Sequence, residues 1–195
     1  MSTPAPASVS PIGYAYKASL IGSAQEFELT EQGLLWRFAG HAGLWPYADI
    51  ASIRLSYRPV SMQAKRFRAE ITHRDGRKLN VISTTWQTVT LMVPQSEMYR
   101  AFIIALHARL AAADSTARLT GGLGRTVYAA AVAVMGVLTV AMAALLVRAL
   151  LIAEWSGALF LIGFAALFAW QVGGFVLRNR PQTYSFAEIP PALLP

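Results

Sequence analysis

Residues 127–177 constrain this chain more than any other stretch. Two apolar runs, 127–147 and 155–177, are separated by seven residues that carry only Arg148 and Glu154 as charges. Each run has more than 20 residues. At about 1.5 Å rise per residue, either one as a helix covers the roughly 30 Å hydrocarbon core of a bilayer. A soluble domain of this size has no use for two uninterrupted apolar helices of that length. The runs are therefore predicted to form a transmembrane hairpin.

The hairpin divides the rest of the chain. Before Val127 the composition is that of an ordinary globular domain, with room for one core of about 100 residues. This part holds 14 Lys/Arg against 8 Asp/Glu. Arg178 and Arg180 follow the second run, while the connection holds one Arg and one Glu. Positive charge thus flanks the outer ends of both helices. The positive-inside rule then predicts a two-pass protein of the inner (plasma) membrane with both termini cytoplasmic and the 148–154 loop outside. The net charge of +7 is explained by this bias, so nucleic acid is not expected as a partner. There is no cysteine, which excludes disulfides and thiolate chemistry. The Pro-, Ser- and Ala-rich start lacks the basic and apolar regions of a signal peptide. Residues 1–24 are expected to be a largely disordered tail.

From Gln25 the pattern becomes short alternating segments with turn residues between them. Glu26–Thr30 and Leu34–Ala39 read as strands around the turn Glu31-Gln32-Gly33, with Trp36 and Phe38 on one face. Gly40-His41-Ala42-Gly43 reads as a turn and Leu44–Tyr47 as a short strand. Ile50–Tyr57 follows, with Ala51, Ile53, Leu55 and Tyr57 facing one way. A loop spans Arg58–Lys65. Arg66–Thr72 alternates again, pointing Phe67, Ala69 and Ile71 inward and Arg66, Arg68 and Glu70 outward. Asp75-Gly76 is a strong hairpin signal before a strand at Lys78–Ser83; a further strand is read at 88–93. A helix begins with Ser96 as N-cap and Glu97 in its first turn. It carries Phe102, Ile103, Leu106 and Leu110 as its apolar stripe and ends near Asp114. Residues 114–126, with Gly121, Gly122 and Gly124, read as a flexible linker, and 178–195 as a cytoplasmic tail. The apolar segment Ile189–Leu194 of that tail is expected to dock on the domain or along the membrane.

Three quoted stretches carry a resemblance: Phe27-Glu28-Leu29-Thr30-Glu31-Gln32-Gly33-Leu34, Trp45-Pro46-Tyr47-Ala48-Asp49-Ile50, and the Asp75-Gly76 hairpin before the helix. Residues 25–113 resemble the bacterial pleckstrin-homology-like (PH-like) domains, which often occur attached to transmembrane helices. The resemblance implies an α+β membrane protein. Its parts would be a partly open β-barrel, one capping helix and the transmembrane hairpin. It implies binding or scaffolding at the membrane, with no catalytic role. In eukaryotic PH domains, basic residues around the first hairpin hold phosphoinositides; here that turn is Glu31-Gln32-Gly33, flanked by Glu26 and Glu28.

The most functional-looking feature is basic: Arg58, Lys65, Arg66, Arg68, Arg74, Arg77 and Lys78. These are expected to rest on anionic phospholipid headgroups, each contributing on the order of 1 kcal/mol. The bland alternative is a solvated strand face. His41, His73 and His107 have no neighbour at ligand spacing, so neither a metal site nor a cofactor is expected. No nucleophile, base and orienting acid recur at a spacing that would predict an enzyme. In the hairpin, Ala129, Gly136 and Ala143 repeat every seven residues, and Ala165, Ala169 and Gly173 every four. Small residues let helix backbones approach closely. These stripes, with the polar Gln171, are expected to pack the two helices together or to form a homodimer. Trp155, Trp170 and Tyr128 are candidate interface anchors. A protein partner is expected, either on the domain or, for an accessory subunit of a transport or envelope enzyme complex, on the hairpin.

Overall fold

The structure is a computed structural model that describes residues 12–19, 22–58, 65–88 and 91–195. The expected loop at 58–65 and most of the expected tail at 1–24 fall outside or at the margins of these residues. The chain forms two compact units. The first comprises the sheets and one helix, up to Leu119, together with Tyr184–Pro195; the second is 120–183.

In the first unit, β1 (Ile12–Tyr16), β2 (Gln25–Leu29), β3 (Leu34–Phe38) and β4 (His41–Trp45) form an antiparallel meander. A 3-10 turn at Tyr47–Asp49 leads to β5 (Ile50–Tyr57), β6 (Phe67–His73) and β7 (Lys78–Ile82), a second antiparallel meander. The short pair β8 (Thr84–Trp86) and β9 (Met92–Pro94) precedes α1 (Ser96–Ala112). After α1, β10 (Arg118–Gly121) begins beside β5. The sheets are open and do not close into a barrel.

Strand β1 lies inside the stretch expected to be a disordered tail. Its alternating residues Tyr14 and Tyr16 are buried. The Tyr14 hydroxyl donates to Ile82 O at 2.6 Å, and the Tyr16 hydroxyl reaches Asn80 O and Gln25 Oε1. The tyrosines therefore join the first meander to β7. The turn between β3 and β4 is two residues, Ala39 and Gly40, both at positive φ (50° and 77°). The residues expected to be a longer turn, His41–Gly43, belong instead to β4. Gly43 lies opposite Trp36, whose indole covers it; a Cβ at Gly43 would lie 2.8 Å from Trp36 Cε2.

The alternation along β6 is as expected, with Phe67, Ala69 and Ile71 buried, and in β7 Leu79 and Val81 are buried too. In β5, Ile53, Leu55 and Tyr57 are buried but Ala51 is exposed. The register shifts between Ile50 and Ser52, and this bulge turns Ala51 out of the face predicted for it. Helix α1 lays Tyr99, Phe102, Ile103, Leu106 and Leu110 on the sheets, all fully buried. Tyr14, Tyr99, Phe27 and Phe102 meet there with ring centroids 5.6–6.3 Å apart. Ser96 is the first helical residue rather than the N-cap; Gln95 occupies the cap without a side-chain hydrogen bond.

The expected linker is structured. Ala117 and Leu119 are buried, and β10 runs to Gly121. In the second unit, Thr120 and Gly121 pair with Thr183 and Gln182 of β11 (Gln182–Thr183). Between them lie α2 (Arg125–Leu151) and α3 (Trp155–Arg178), joined through a turn with Ala153 at φ 58°. Both helices are long and apolar enough to cross a membrane. Their most apolar 18-residue windows are 0% and 6% buried.

Candidate functional site

The seven predicted cations all lie on or beside β5–β7, but the structure does not bring them together. Arg58, Lys65 and Arg66 stand at the β5–β6 end of β6, while Arg74, Arg77 and Lys78 stand at the β6–β7 turn. The seven residues of β6 separate the two groups by about 20 Å.

The second group is largely neutralised. The antiparallel register sets Glu70 opposite Asn80 and Arg68 opposite Ile82 on the outward face. Glu70 Oε2 accepts from Arg68 Nη2 at 3.0 Å and Oε1 from Lys78 Nζ at 3.1 Å. Arg68 Nε also donates to Asn80 Oδ1 at 2.9 Å. Burial by itself would raise the pKa of Glu70. The hydrogen bond from Lys78, with the charges of Lys78, Arg68 and Arg54, outweighs burial and lowers it. At the turn, the backbone N–H of Arg77 donates to Asp75 Oδ1 at 2.9 Å and its Nε to Oδ2 at 2.5 Å. The Arg77 backbone donor most strongly, and then, against desolvation, the side-chain bonds of Arg77 and His73 and the Arg77 charge, draw the Asp75 carboxyl down to about 2. The Arg77 guanidinium also stands 5.7 Å from the centre of the Trp45 ring, within cation–π range. Arg68, Arg77 and Lys78 thus already hold partners within the domain.

The first group has none of these. The Arg58 backbone N–H donates to Arg66 O at 2.7 Å, closing the hairpin base. Arg58 and Lys65 are exposed and Arg66 is half-buried. Burial lowers the pKa of Arg66, and the charges of Arg58 and Arg68 lower it further.

A second cluster was only half legible in the sequence: the 184–195 segment docks on the domain. Leu193 is 0% exposed and Leu194 7%. The 3-10 turn at Pro191–Leu193 packs on β5, and Arg100 Nη1 donates to Pro195 O at 3.2 Å. Tyr184 and Phe186 pack on His107 of α1, with ring centroids 5.7 and 6.3 Å away. His107 is buried; its Nδ1 lies 2.7 Å from Ile103 O and its Nε2 3.0 Å from the Tyr184 hydroxyl. A carbonyl only accepts, so Nδ1 carries the proton and Nε2 accepts from Tyr184. The neutral ring satisfies both bonds; in the imidazolium Nε2 would have to donate to the Tyr184 hydroxyl, which reverses the second.

Burial lowers the pKa of His107 below its usual 6.5, only partly offset by the bond to Ile103 O. The unfolded chain therefore binds this proton more readily than the folded one. The resulting stability is complete above pH 6.5 and is lost as pH falls through the folded pKa. Unfolding free energy should fall on acidification below 6.5, and His107→Gln should flatten that slope. Denaturant unfolding at stepped pH tests it; equal slopes in both proteins would refute the assignment.

The other two histidines stand elsewhere: His41 is exposed on β4, and His73 packs on Trp45 with ring centroids 4.9 Å apart. Among the described residues no three His, Asp or Glu side chains stand close enough to hold a metal ion.

In the second unit, the face of α2 toward α3 carries Ala131, Met135, Met142, Leu146 and Ala149, which are half-buried. Ala129, Gly136 and Ala143 are exposed, and a Cβ at Gly136 would meet nothing within 4 Å. On α3, Ala165 and Gly173 are half-buried, whereas Ala169, Gln171, Trp155 and Trp170 are exposed. The small-residue stripe of α2 therefore faces outward, contrary to the expected packing of the hairpin on itself. Compared with known proteins, the chain matches no protein-family model, no curated protein and no solved structure.

Proposed function

We propose that this chain is an integral protein of the bacterial inner membrane. In this reading α2 and α3 cross the bilayer, and a cytoplasmic PH-like domain binds a protein partner or the anionic membrane surface as a scaffold, without catalysis. The observation that carries it is the exposure of two helices that are apolar all round. In water, apolar surface of that extent costs about 25 cal/mol per Å²; in hydrocarbon it costs nothing. The order of two antiparallel meanders followed by one helix supports the PH-like part. The chain leaves the first unit at Leu119 and re-enters it at Tyr184. A hairpin that crosses twice returns the chain to the side it left, and the Lys/Arg bias makes that side the cytoplasm.

The absence of cysteine gives a direct test. Single-cysteine variants Lys17→Cys, Ile152→Cys and Glu188→Cys are labelled in intact cells and in inverted vesicles with an impermeant maleimide. Ile152→Cys should react from outside and the other two only from inside, with all three resisting alkaline carbonate extraction. Release by carbonate, or labelling of all three from one side, would refute the topology.

The exposed stripe Ala129, Gly136 and Ala143, with the Gln171 side chain exposed as well, favours a second reading. There the hairpin docks on a larger membrane complex as an accessory subunit or regulator. In mild detergent, a stoichiometric partner lost on Gly136→Leu/Ala143→Leu would support it; a partner retained by that variant would place the docking on the sheet domain.

A further inference from the structure

We propose that Arg58, Lys65 and Arg66 form a phosphate-binding site at the base of the β5–β6 hairpin, and that it holds anionic lipid headgroups. This rests on the membrane anchoring proposed above and narrows the surface contact to three of seven cations.

The selection follows from pairing and from place: Arg68, Arg77 and Lys78 hold partners, and Arg74 stands at the far end of β6, after His73. From Ile50 to Ala69 the sequence has five cations and no acid. The residues between Arg58 and Lys65 are Pro, Val, Ser, Met, Gln and Ala, so this part of the sequence supplies no carboxylate either. The nearest acid along the strand, Glu70, is already engaged by Arg68 and Lys78, one cation to each oxygen. No ion pair is formed by Arg58, Lys65 or Arg66 among the described residues.

The cations are also held in place. The Arg58–Arg66 backbone bond sets these two residues opposite each other, with Lys65 next in the chain, and directly beneath it Tyr57 pairs with Phe67, their rings 5.2 Å apart. Arg58 and the half-buried Arg66 repel each other across the strand pair, which raises the free energy of the unliganded state. An anion with several oxygens relieves both at once. Phosphate does so best, because guanidinium groups take its oxygens bidentately. Headgroups are the source at hand: the domain is joined to the proposed spans at both 119–120 and 183–184, which keeps their local concentration high without a tight site.

The full chain is reconstituted in nanodiscs of phosphatidylcholine alone or mixed with phosphatidylglycerol, and amide exchange is followed over β5 and β6. In the anionic discs at low salt, exchange at 57–58 and 65–67 should slow by about fivefold per engaged cation. High salt should abolish the slowing. So should Arg58→Gln/Lys65→Gln/Arg66→Gln, whereas Arg77→Gln/Lys78→Gln should retain it. Equal exchange of the wild type in both discs, or equal loss in both variants, overturns the site. Slowing in neutral discs on adding inorganic phosphate overturns the headgroup as its source. A chain that enters neither disc overturns the anchoring as well; one that enters both and exchanges alike overturns the site alone.

Discussion

Replacing Leu193 by alanine is expected to cost the sheet domain about 3 kcal/mol, the middle of the range for removing a buried leucine side chain. Leu193 is fully buried although it lies past the second membrane-length helix. Its turn packs on β5, so the deficit should appear there first. Hydrogen exchange of the β5 amides in the full-length protein should accelerate by about 100-fold. Removing 184–195 altogether should do more, because Leu194, Tyr184 and Phe186 leave with it and the His107 imidazole loses its hydroxyl donor. A stability of about 5–15 kcal/mol is usual for a domain, so that truncation should leave little of it. Unchanged exchange in β5 on truncation would show that the segment is dispensable.

This prediction depends on a part of the fold that local patterns reach only halfway. The apolarity of Ile189–Leu194 is plain in the sequence. Its docking position is not, because that is set by β5 and α1, some 90 to 140 residues earlier. Strand β1 was missed for the same reason. Tyr14 and Tyr16 do alternate, but they follow directly on a Pro/Ser-rich start. The strand pairs with β2, and its tyrosine hydroxyls bond to Ile82 and Asn80, far along the chain. The second meander was legible because Asp75-Gly76 fixes its turn, and the turn fixes the register. From that register the pairing of Glu70 with the outward cations could have been derived; counting charges alone could not separate the paired cations from the three at the hairpin base.

The hairpin failed in a different way. Periodicity tells which face of a helix is buried only when the helix is amphipathic. Both α2 and α3 are apolar all round, so length and span were readable but the rotational phase was not. The small-residue stripe at Ala129, Gly136 and Ala143 fitted a packing motif and is still exposed. Its neighbours Met135 and Met142, one position earlier in each heptad, are the half-buried ones. Sequence can thus identify a close-approach surface in such a helix without saying which partner approaches it.

Gly122 should tolerate no side chain, and Gly122→Ala is expected to destabilise the 120–183 unit by several kcal/mol. Two effects act together. The residue sits at φ +81°, where a Cβ costs about 1 kcal/mol. A Cβ there would also run into the carbonyl oxygens of Asn179 and Arg180, and these cannot yield as a flexible side chain would. They belong to the exit of α3, where Leu123 N–H donates to Asn179 O at 2.9 Å. The glycine therefore lets the entry of α2 and the exit of α3 lie backbone against backbone, which clamps both ends of the hairpin. Read as a flexible linker, residues 114–126 would accept alanine at 122 with a slight gain, since an unstrained Gly→Ala change stiffens the unfolded chain. The sign of the change thus separates the two descriptions. Thermal unfolding of the full chain in detergent, with Gly124→Ala as the control, reads it directly: a Cβ at Gly124 meets nothing within 4 Å. A lower midpoint for Gly122→Ala alone is the expected result, and equal midpoints would return the segment to a linker.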